Sequence, residues 1–173
     1  MIILLNGPLG IGKTTLADAL MESIDQCVML DGDFLVAANP EPSDKLEHLH
    51  STIALLVPHY QSLGYKHFVI AHIWTTQEEI DDLRHRLVNH DAEFRCFLLT
   101  LSAEENRKRI NRRASVRIVD EQEFELRTVT EEREMLKVRS GTNLGELFDV
   151  TAPPLVLVNE MLNRLGLTST SNV

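Results

Sequence analysis

The sequence predicts a three-layer α/β/α fold, in which helices cover both faces of a five-stranded parallel sheet. Short apolar runs alternate with segments of helical periodicity from one end of the chain to the other, and most of the joins between them are short. This alternation favours right-handed crossovers between parallel strands. Ligands of such sheets bind at the carboxyl ends of the strands, so functional residues are expected there.

Five segments have the length and apolar content of strands, and six segments between and after them carry helical periodicity or helix-end signals. The predicted strands are residues 1–6, 26–31, 66–73, 94–101 and 147–151. The predicted helices are residues 12–24, 44–63, 75–89, 102–114, 121–139 and 153–165. No internal repeat or long linker separates them, which predicts one domain over residues 1–173.

The composition is typical of a soluble globular protein and argues against two kinds of partner. The formal net charge is −9, which repels a nucleic-acid backbone. No apolar run approaches the roughly 20 residues that span a bilayer, and the apolar start lacks the basic region of a signal peptide. Cys27 and Cys96 stand in apolar segments and are expected to be buried free thiols. We therefore expect a cytoplasmic monomer or homodimer without nucleic-acid or membrane partners.

A phosphate-binding loop is predicted between the first strand and the first helix. Residues 7–14 read GPLGIGKT and match the pattern G-x-x-x-x-G-K-[ST] at this junction. Backbone N–H groups of such a loop form an anion site, Lys13 reaches the β- and γ-phosphates, and Thr14 offers a hydroxyl to Mg²⁺. An ordinary glycine-rich turn is the alternative. The residues predicted to bind the nucleotide here are Gly7, Gly10, Ile11, Gly12, Lys13, Thr14 and Thr15.

Two carboxylates follow the second strand, at Asp31 and Asp33, with Gly32 between them. In an extended segment, residues i and i+2 point to the same side, so both carboxylates would face the γ-phosphate. A kinase uses one carboxylate to orient Mg²⁺ and another to accept the proton of the attacking hydroxyl. The alternative is a hydrophilic turn in which an aspartate serves as a cap.

The chain resembles the P-loop small-molecule kinase superfamily, which includes gluconate, shikimate, adenylylsulfate and nucleoside monophosphate kinases. Residues 30–35, which read LDGDFL, are similar to the D-G-D segment of gluconate and adenylylsulfate kinases. The resemblance implies strand order 2-3-1-4-5 with a lid segment, and ATP and Mg²⁺ as cofactors. It also implies that Asp31 joins Thr14 at the metal and that Asp33 contacts the acceptor hydroxyl. Residues 36–40 depart from the gluconate kinase pattern, so the acceptor stays open, with a gluconate-like hydroxyl compound as one candidate.

A cluster of basic side chains between residues 107 and 117 is predicted to serve the phosphates. In the resembled kinases this region is the lid that closes over ATP, which places the lid here at about residues 113–123. Arginines stabilise the charge of a transferred phosphoryl group, and Arg109, Arg113 and Arg117 are the expected catalytic three, with Arg109 also at the nucleotide. The alternative is a solvated helix with Glu104–Lys108 and Glu105–Arg109 pairs.

Two further regions are expected to form the rest of the pocket. The acceptor-binding region is placed at about residues 34–64, with His48, His50, His72 and Trp74 as weaker candidates, since a lone histidine is usually structural. The loop at residues 151–154 stands where small kinases hold adenine, although a plain turn before a helix explains it nearly as well.

The pattern as a whole predicts an ATP-dependent kinase that phosphorylates a small molecule. A nucleoside monophosphate kinase is one alternative, but residues 34–76 contain no arginine that would hold the monophosphate. A regulatory ATPase is the other, but the third strand lacks the terminal aspartate typical of that class.

Overall fold

The computed structural model describes residues 1–90, 93–113, 119–138 and 144–167. Within these residues the chain forms five strands and seven helices. The strands are β1 (Ile2–Asn6), β2 (Cys27–Asp31), β3 (His67–Ala71), β4 (Phe94–Thr100) and β5 (Glu146–Asp149). The helices are α1 (Lys13–Ser23), α2 (Gly32–Leu35), α3 (Lys45–Ser62), α4 (Gln77–Leu87), α5 (Ala103–Arg113), α6 (Val119–Val138) and α7 (Pro154–Leu165).

All five strands join one parallel sheet in the order β2-β3-β1-β4-β5, which confirms the predicted fold class and strand order. The central strand β1 pairs with β3 and β4, so that Ile2 lies beside Phe68 on one side and Phe94 on the other. Because β2 pairs with β3 and β3 with β1, all in parallel, the chain leaves all three strands at the same edge of the sheet. The segments that follow them are therefore brought together.

The sheet separates two apolar cores, because alternate residues of a strand point to opposite faces. Ile3 and Leu5 of β1 pack with α1 and α7, whereas Ile2 and Leu4 pack with α3 and α4. All four side chains are fully buried. A strand covered on both faces is expected to be a continuous apolar run, which is how the chain begins.

Asn6, the last residue of β1, ties together the loops at the carboxyl edge of the sheet. Its amide nitrogen donates to the carbonyl oxygens of Trp74 and Leu144, and its amide oxygen accepts the N–H of Trp74 at 2.9 Å. The side chain is fully buried, so these bonds satisfy polar groups that water cannot reach. The start of the phosphate loop is thereby held in register with the segment after β3.

The predicted extended segment around Asp31 and Asp33 is wrong. The strand ends at Asp31, and Asp33 lies in the short helix α2. The Asp31 carboxylate accepts the backbone N–H of Asp33 at 2.9 Å and so caps this helix, which satisfies a donor that an extended chain would leave unpaired. A Cβ at Gly32 would lie 2.6 Å from Nδ1 of His72, so the turn also needs a residue without a side chain.

The predicted lid spans a break in the described residues. Helix α5 ends at Arg113, and α6 begins at Val119, two residues before the predicted start, so that residues 119–123 are helical. Residues 114–118, including Arg117, lie outside the described residues.

The two cysteines and the apolar character of the helices were also considered in the sequence. Cys27 and Cys96 are both free; Cys27 is buried and Cys96 is partly buried. Among the helices in the described ranges, we find none that combines the length and the apolar character needed to cross a bilayer.

Candidate active site

The phosphate loop runs from the end of β1 into α1, and the N-terminal N–H groups of α1 are left without a side-chain cap. Gly12 occupies the N-cap position with φ 111°, in the left-handed region that favours glycine, and no side chain caps the helix. The first N–H groups of a helix without a side-chain cap are available to an anion. The ammonium group of Lys13 donates to the carbonyl oxygens of Gly7 at 2.7 Å and Pro8 at 3.2 Å, so the lysine lies along the loop.

Thr14 and Asp31 form the candidate magnesium site. The Thr14 hydroxyl donates to Oδ2 of Asp31 at 2.9 Å, which joins α1 to the end of β2. Two neighbouring ligands of an octahedral Mg²⁺ ion, each about 2.1 Å from the metal, lie about 2.9 Å apart. Both ligands are hard oxygen donors, so the pair fits Mg²⁺. Among the described residues, no three His, Cys, Asp or Glu side chains are grouped so that they could hold a metal ion by themselves. Mg²⁺ commonly takes its other ligands from phosphates and water.

Asp33 lies beside His72, which follows the neighbouring strand β3. Oδ1 of Asp33 is 3.3 Å from Nδ1 of His72, and the carboxylate is largely exposed. The contact with His72 holds the pKa of Asp33 below its ordinary value, and the charge of Lys13 lowers it further, while burial opposes both. Asp33 is therefore ionised at neutral pH. An exposed carboxylate at a cavity is well placed to accept a hydrogen bond from a bound hydroxyl.

Two cavities meet at the phosphate loop, and both are lined by Gly12 and Thr15. The first, which we call the base-side cavity, is about 410 Å³, within the range of small-ligand pockets. Its lining residues are Ile11, Gly12, Thr15, Leu16, Arg109, Arg112, Val150, Thr151, Ala152, Pro153, Pro154 and Leu157. The predicted adenine loop at residues 151–154 thus borders a cavity that adjoins the phosphate loop.

Arg109 is held at the base-side cavity by backbone contacts rather than by a neighbouring carboxylate. Its guanidinium group donates to the carbonyl oxygens of Ile11 at 2.7 Å and Val150 at 2.6 Å. Of the two ion pairs in the alternative interpretation, Glu104–Lys108 is present at 2.7 Å. Glu105 lies 2.8 Å from Lys108, and Arg109 bonds to the backbone instead. Arg113 is described only as the last residue of α5, and the position of Arg117 is not described, so their predicted roles stay predictions.

The second cavity, which we call the acceptor-side cavity, is about 480 Å³ and brings the predicted catalytic residues together. Its lining residues are Leu9, Gly10, Gly12, Lys13, Thr14, Thr15, Asp31, Asp33, Phe34, Ile73, Glu125 and Glu132. The glutamates Glu125 and Glu132 come from α6, which sequence reasoning did not connect with the site. Their signal is the spacing of Glu125, Val129, Glu132 and Leu136, which places two carboxylates on the apolar face of one helix.

Two of the weaker candidates serve the structure instead of the cavity. His50 and Trp74 are fully buried. The Trp74 indole N–H donates to Nε2 of His50 at 3.1 Å, and Nδ1 of His50 lies 2.7 Å from Oδ2 of Asp82. This chain of contacts ties α3, α4 and the segment after β3 together.

The comparisons with known proteins identify a family and a shared fold. A family model described as an AAA domain matches residues 2–137. The chain therefore belongs to this AAA domain family. A comparison with curated protein sequences finds no match.

Solved structures of several proteins share the fold over nearly the whole chain. The Deinococcus radiodurans tunicamycin resistance protein has a TM-score of 0.68 at 16% identity, with 96% of each chain covered. A gluconokinase from Sinorhizobium meliloti 1021 has a TM-score of 0.65 at 18% identity, covering 95% of this chain and 90% of that one. A shikimate kinase from Bacteroides thetaiotaomicron has a TM-score of 0.66 at 14% identity, covering 96% and 98%.

Proposed function

We propose that the protein is an ATP-dependent kinase that transfers the γ-phosphoryl group to a hydroxyl group of a small molecule. The observation that carries the proposal is that one cavity is lined by Lys13, by the Thr14–Asp31 pair and by Asp33. These residues come from three successive segments at the carboxyl edge of the sheet. Two of the structural neighbours are kinases named for small molecules, which supports the same reaction class.

Each residue has a separate task in this proposal. The phosphate loop and Lys13 bind the phosphates, and Thr14 and Asp31 hold Mg²⁺, which neutralises charge on the transferred group. Asp33 accepts a hydrogen bond from the acceptor hydroxyl and directs its oxygen towards the γ-phosphate. Because its pKa is lowered, Asp33 contributes mainly by orienting the hydroxyl, since a weak base takes a proton only late in a loose phosphoryl transfer.

The base of the nucleotide is assigned to the base-side cavity. That cavity combines apolar side chains with the guanidinium group of Arg109, whose flat face suits stacking on a purine. Two backbone carbonyls hold Arg109 in place, so little side-chain freedom is lost when a nucleotide binds. The γ-phosphate then lies towards the acceptor-side cavity, which begins on the other side of Gly12 and Thr15.

The lining of the acceptor-side cavity favours a hydroxyl acceptor over a phosphate acceptor. Among the lining residues that the structure describes, Lys13 is the one cation, and the loop phosphates require it. Four carboxylates, at Asp31, Asp33, Glu125 and Glu132, line the same cavity. A second phosphate placed there would face net negative charge, which counts against a nucleoside monophosphate acceptor.

Release of ADP from ATP and Mg²⁺, measured with and without candidate acceptors, tests the proposal. The panel comprises sugar acids, neutral sugars, nucleosides, hydroxylated antibiotics and nucleoside monophosphates. We expect slow turnover alone and strong stimulation by a hydroxyl compound, with a phosphorylated product visible by mass spectrometry. Rapid hydrolysis that no compound changes would support a regulatory ATPase, and stimulation by monophosphates alone would support a nucleoside monophosphate kinase.

The Asp31→Asn substitution should raise the Mg²⁺ requirement of the reaction. An asparagine can still accept the N–H of Asp33, so α2 keeps its cap, but the metal loses a charged ligand. We expect the Mg²⁺ concentration for half-maximal activity to rise by roughly tenfold or more. The matched control is Asp25→Asn, because Asp25 is exposed and precedes β2 at the opposite edge of the sheet. An unchanged Mg²⁺ requirement would remove Asp31 from the metal site.

A further inference from the structure

The carboxylate of Glu132 lies on the phosphate loop itself. Its Oε2 accepts the backbone N–H of Leu9 at 2.5 Å, and Leu9 stands in the middle of the loop between Gly7 and Lys13. N–H groups of this loop are the donors that cradle phosphate oxygens in nucleotide-binding proteins. An acidic side chain of the protein therefore occupies one N–H group of this loop.

The backbone of Leu9 is held from both sides by helices α5 and α6. Its N–H is bound by Glu132 of α6, and its carbonyl oxygen accepts from Nδ2 of Asn106 in α5 at 3.1 Å. Arg133, the next residue of α6, donates to Oδ1 of Asn106 and to the carbonyl oxygen of Leu101. A shift of the Leu9 backbone would therefore act directly on α5 and α6.

Glu132 lies within the electrostatic influence of residues at the proposed catalytic site. Lys13 and His72 attract its carboxylate, while Asp33 repels it. Burial raises the pKa of Glu132, and the Leu9 N–H and the Lys13 charge oppose that rise. The proposed function assigns the same lysine and the same loop to the phosphates of ATP.

We propose that Glu132 is an autoinhibitory contact, which holds part of the phosphate site in the nucleotide-free protein and must be displaced when ATP binds. The inference rests on the proposed function, because it takes the loop to be the ATP site. A carboxylate and a phosphate cannot both accept the same N–H, and two anions at hydrogen-bond distance repel each other strongly in a partly buried site. ATP therefore binds only by breaking the Glu132–Leu9 bond, and this displacement is passed to α6.

Binding of a non-hydrolysable ATP analogue to variants of α6 tests this inference. Glu132→Gln removes the charge, and Glu132→Ala removes the charge and the acceptor. We expect both to bind the analogue about fivefold more tightly than the original protein, the lower end of usual coupling between two sites. Glu131→Gln, an exposed neighbour on the same helix, is the matched control and should leave the dissociation constant unchanged.

Adenosine separates the phosphate site from the rest of the pocket. It carries the base and ribose but no phosphate, so its affinity should be the same in the original protein and in Glu132→Gln.

Amide hydrogen exchange at Leu9 measures the strength of the Glu132–Leu9 bond without any ligand. The Leu9 N–H should exchange faster in Glu132→Ala, with unfolding temperatures recorded to verify that each variant folds.

Each outcome decides the inference. Tighter analogue binding in both Glu132 variants, with unchanged adenosine binding, supports it. Unchanged or weaker analogue binding means that Glu132 does not compete with phosphate, and overturns it while the kinase proposal stands. If the original protein does not bind the analogue at all, the proposed function fails first and this inference fails with it.

Discussion

Replacement of Lys13 by alanine should abolish phosphoryl transfer, with a loss of roughly a thousandfold or more, as for the removal of a principal charge-stabilising donor. The ammonium group is the one cation that the described lining of the acceptor-side cavity offers to the phosphates. No other side chain there can neutralise the charge that spreads over the transferred group. Turnover with ATP and the acceptor found in the panel measures the effect.

The fold should survive this substitution, although the loop loses two hydrogen bonds. Lys13 bonds to the carbonyl oxygens of Gly7 and Pro8, and Gly12 and the apolar face of α1 stay unchanged. The control is Lys66→Ala, which removes an exposed lysine that precedes β3 at the opposite edge of the sheet, and it should keep full activity. Full activity in Lys13→Ala, with normal unfolding, would refute the assignment of residues 7–14 as the phosphate site.

Replacement of Asp33 by asparagine should lower turnover by roughly a hundredfold or more, with little change in ATP affinity. Asparagine has nearly the same shape, but its amide cannot accept the hydroxyl hydrogen as strongly as a carboxylate. Asp33 lies in α2, beyond the Thr14–Asp31 pair, so the metal ligands stay in place. Steady-state kinetics with both substrates separates the loss of turnover from any loss of binding.

The dependence of activity on pH is a second test of the role of the Asp33 carboxylate. Its pKa is lowered in the folded protein, so the carboxylate is charged above that value, and activity that depends on it falls only as pH drops through the lowered pKa. Asp25→Asn is the control, because Asp25 is exposed and precedes β2 at the opposite edge of the sheet. If Asp33→Asn and Asp31→Asn raised the Mg²⁺ requirement alike, the division of roles between the two carboxylates would be wrong.

The sequence predicts which side chains lie at the phosphate loop only when those residues are close to the loop along the chain. Residues 7–14 form a contiguous motif whose neighbours, a strand and a helix, are visible in the apolar pattern. The Thr14–Asp31 contact follows from one strand–helix–strand unit, in which the starts of the helix and the next loop share an edge of the sheet. The geometry of Asp33 did not follow, because a local side-chain cap turned the chain into α2.

The role of α6 could not be read from the sequence. Glu132 is 123 residues from Leu9 along the chain, and the contact depends on how α6 is rotated and where it lies against α5. Its face of Glu125, Val129, Glu132 and Leu136 mixes acidic and apolar residues, so periodicity alone does not say whether it meets solvent, core or a ligand. The hydrogen bonds of Arg109 could not be predicted either, because its partners, the carbonyl groups of Ile11 and Val150, are far from it along the chain.

The sequence by itself determined the order of strands and helices, the parallel sheet and the phosphate loop. These depend on short-range periodicity, on turn residues and on the right-handed crossover, which are local properties of the chain. The tertiary structure alone decided which carboxylates surround the loop, that His72 meets Asp33, and that Glu132 contacts the N–H of Leu9. Those contacts join segments that are distant in sequence, and only the packing of α6 and of the loops at the edge of the sheet brings them within hydrogen-bond distance.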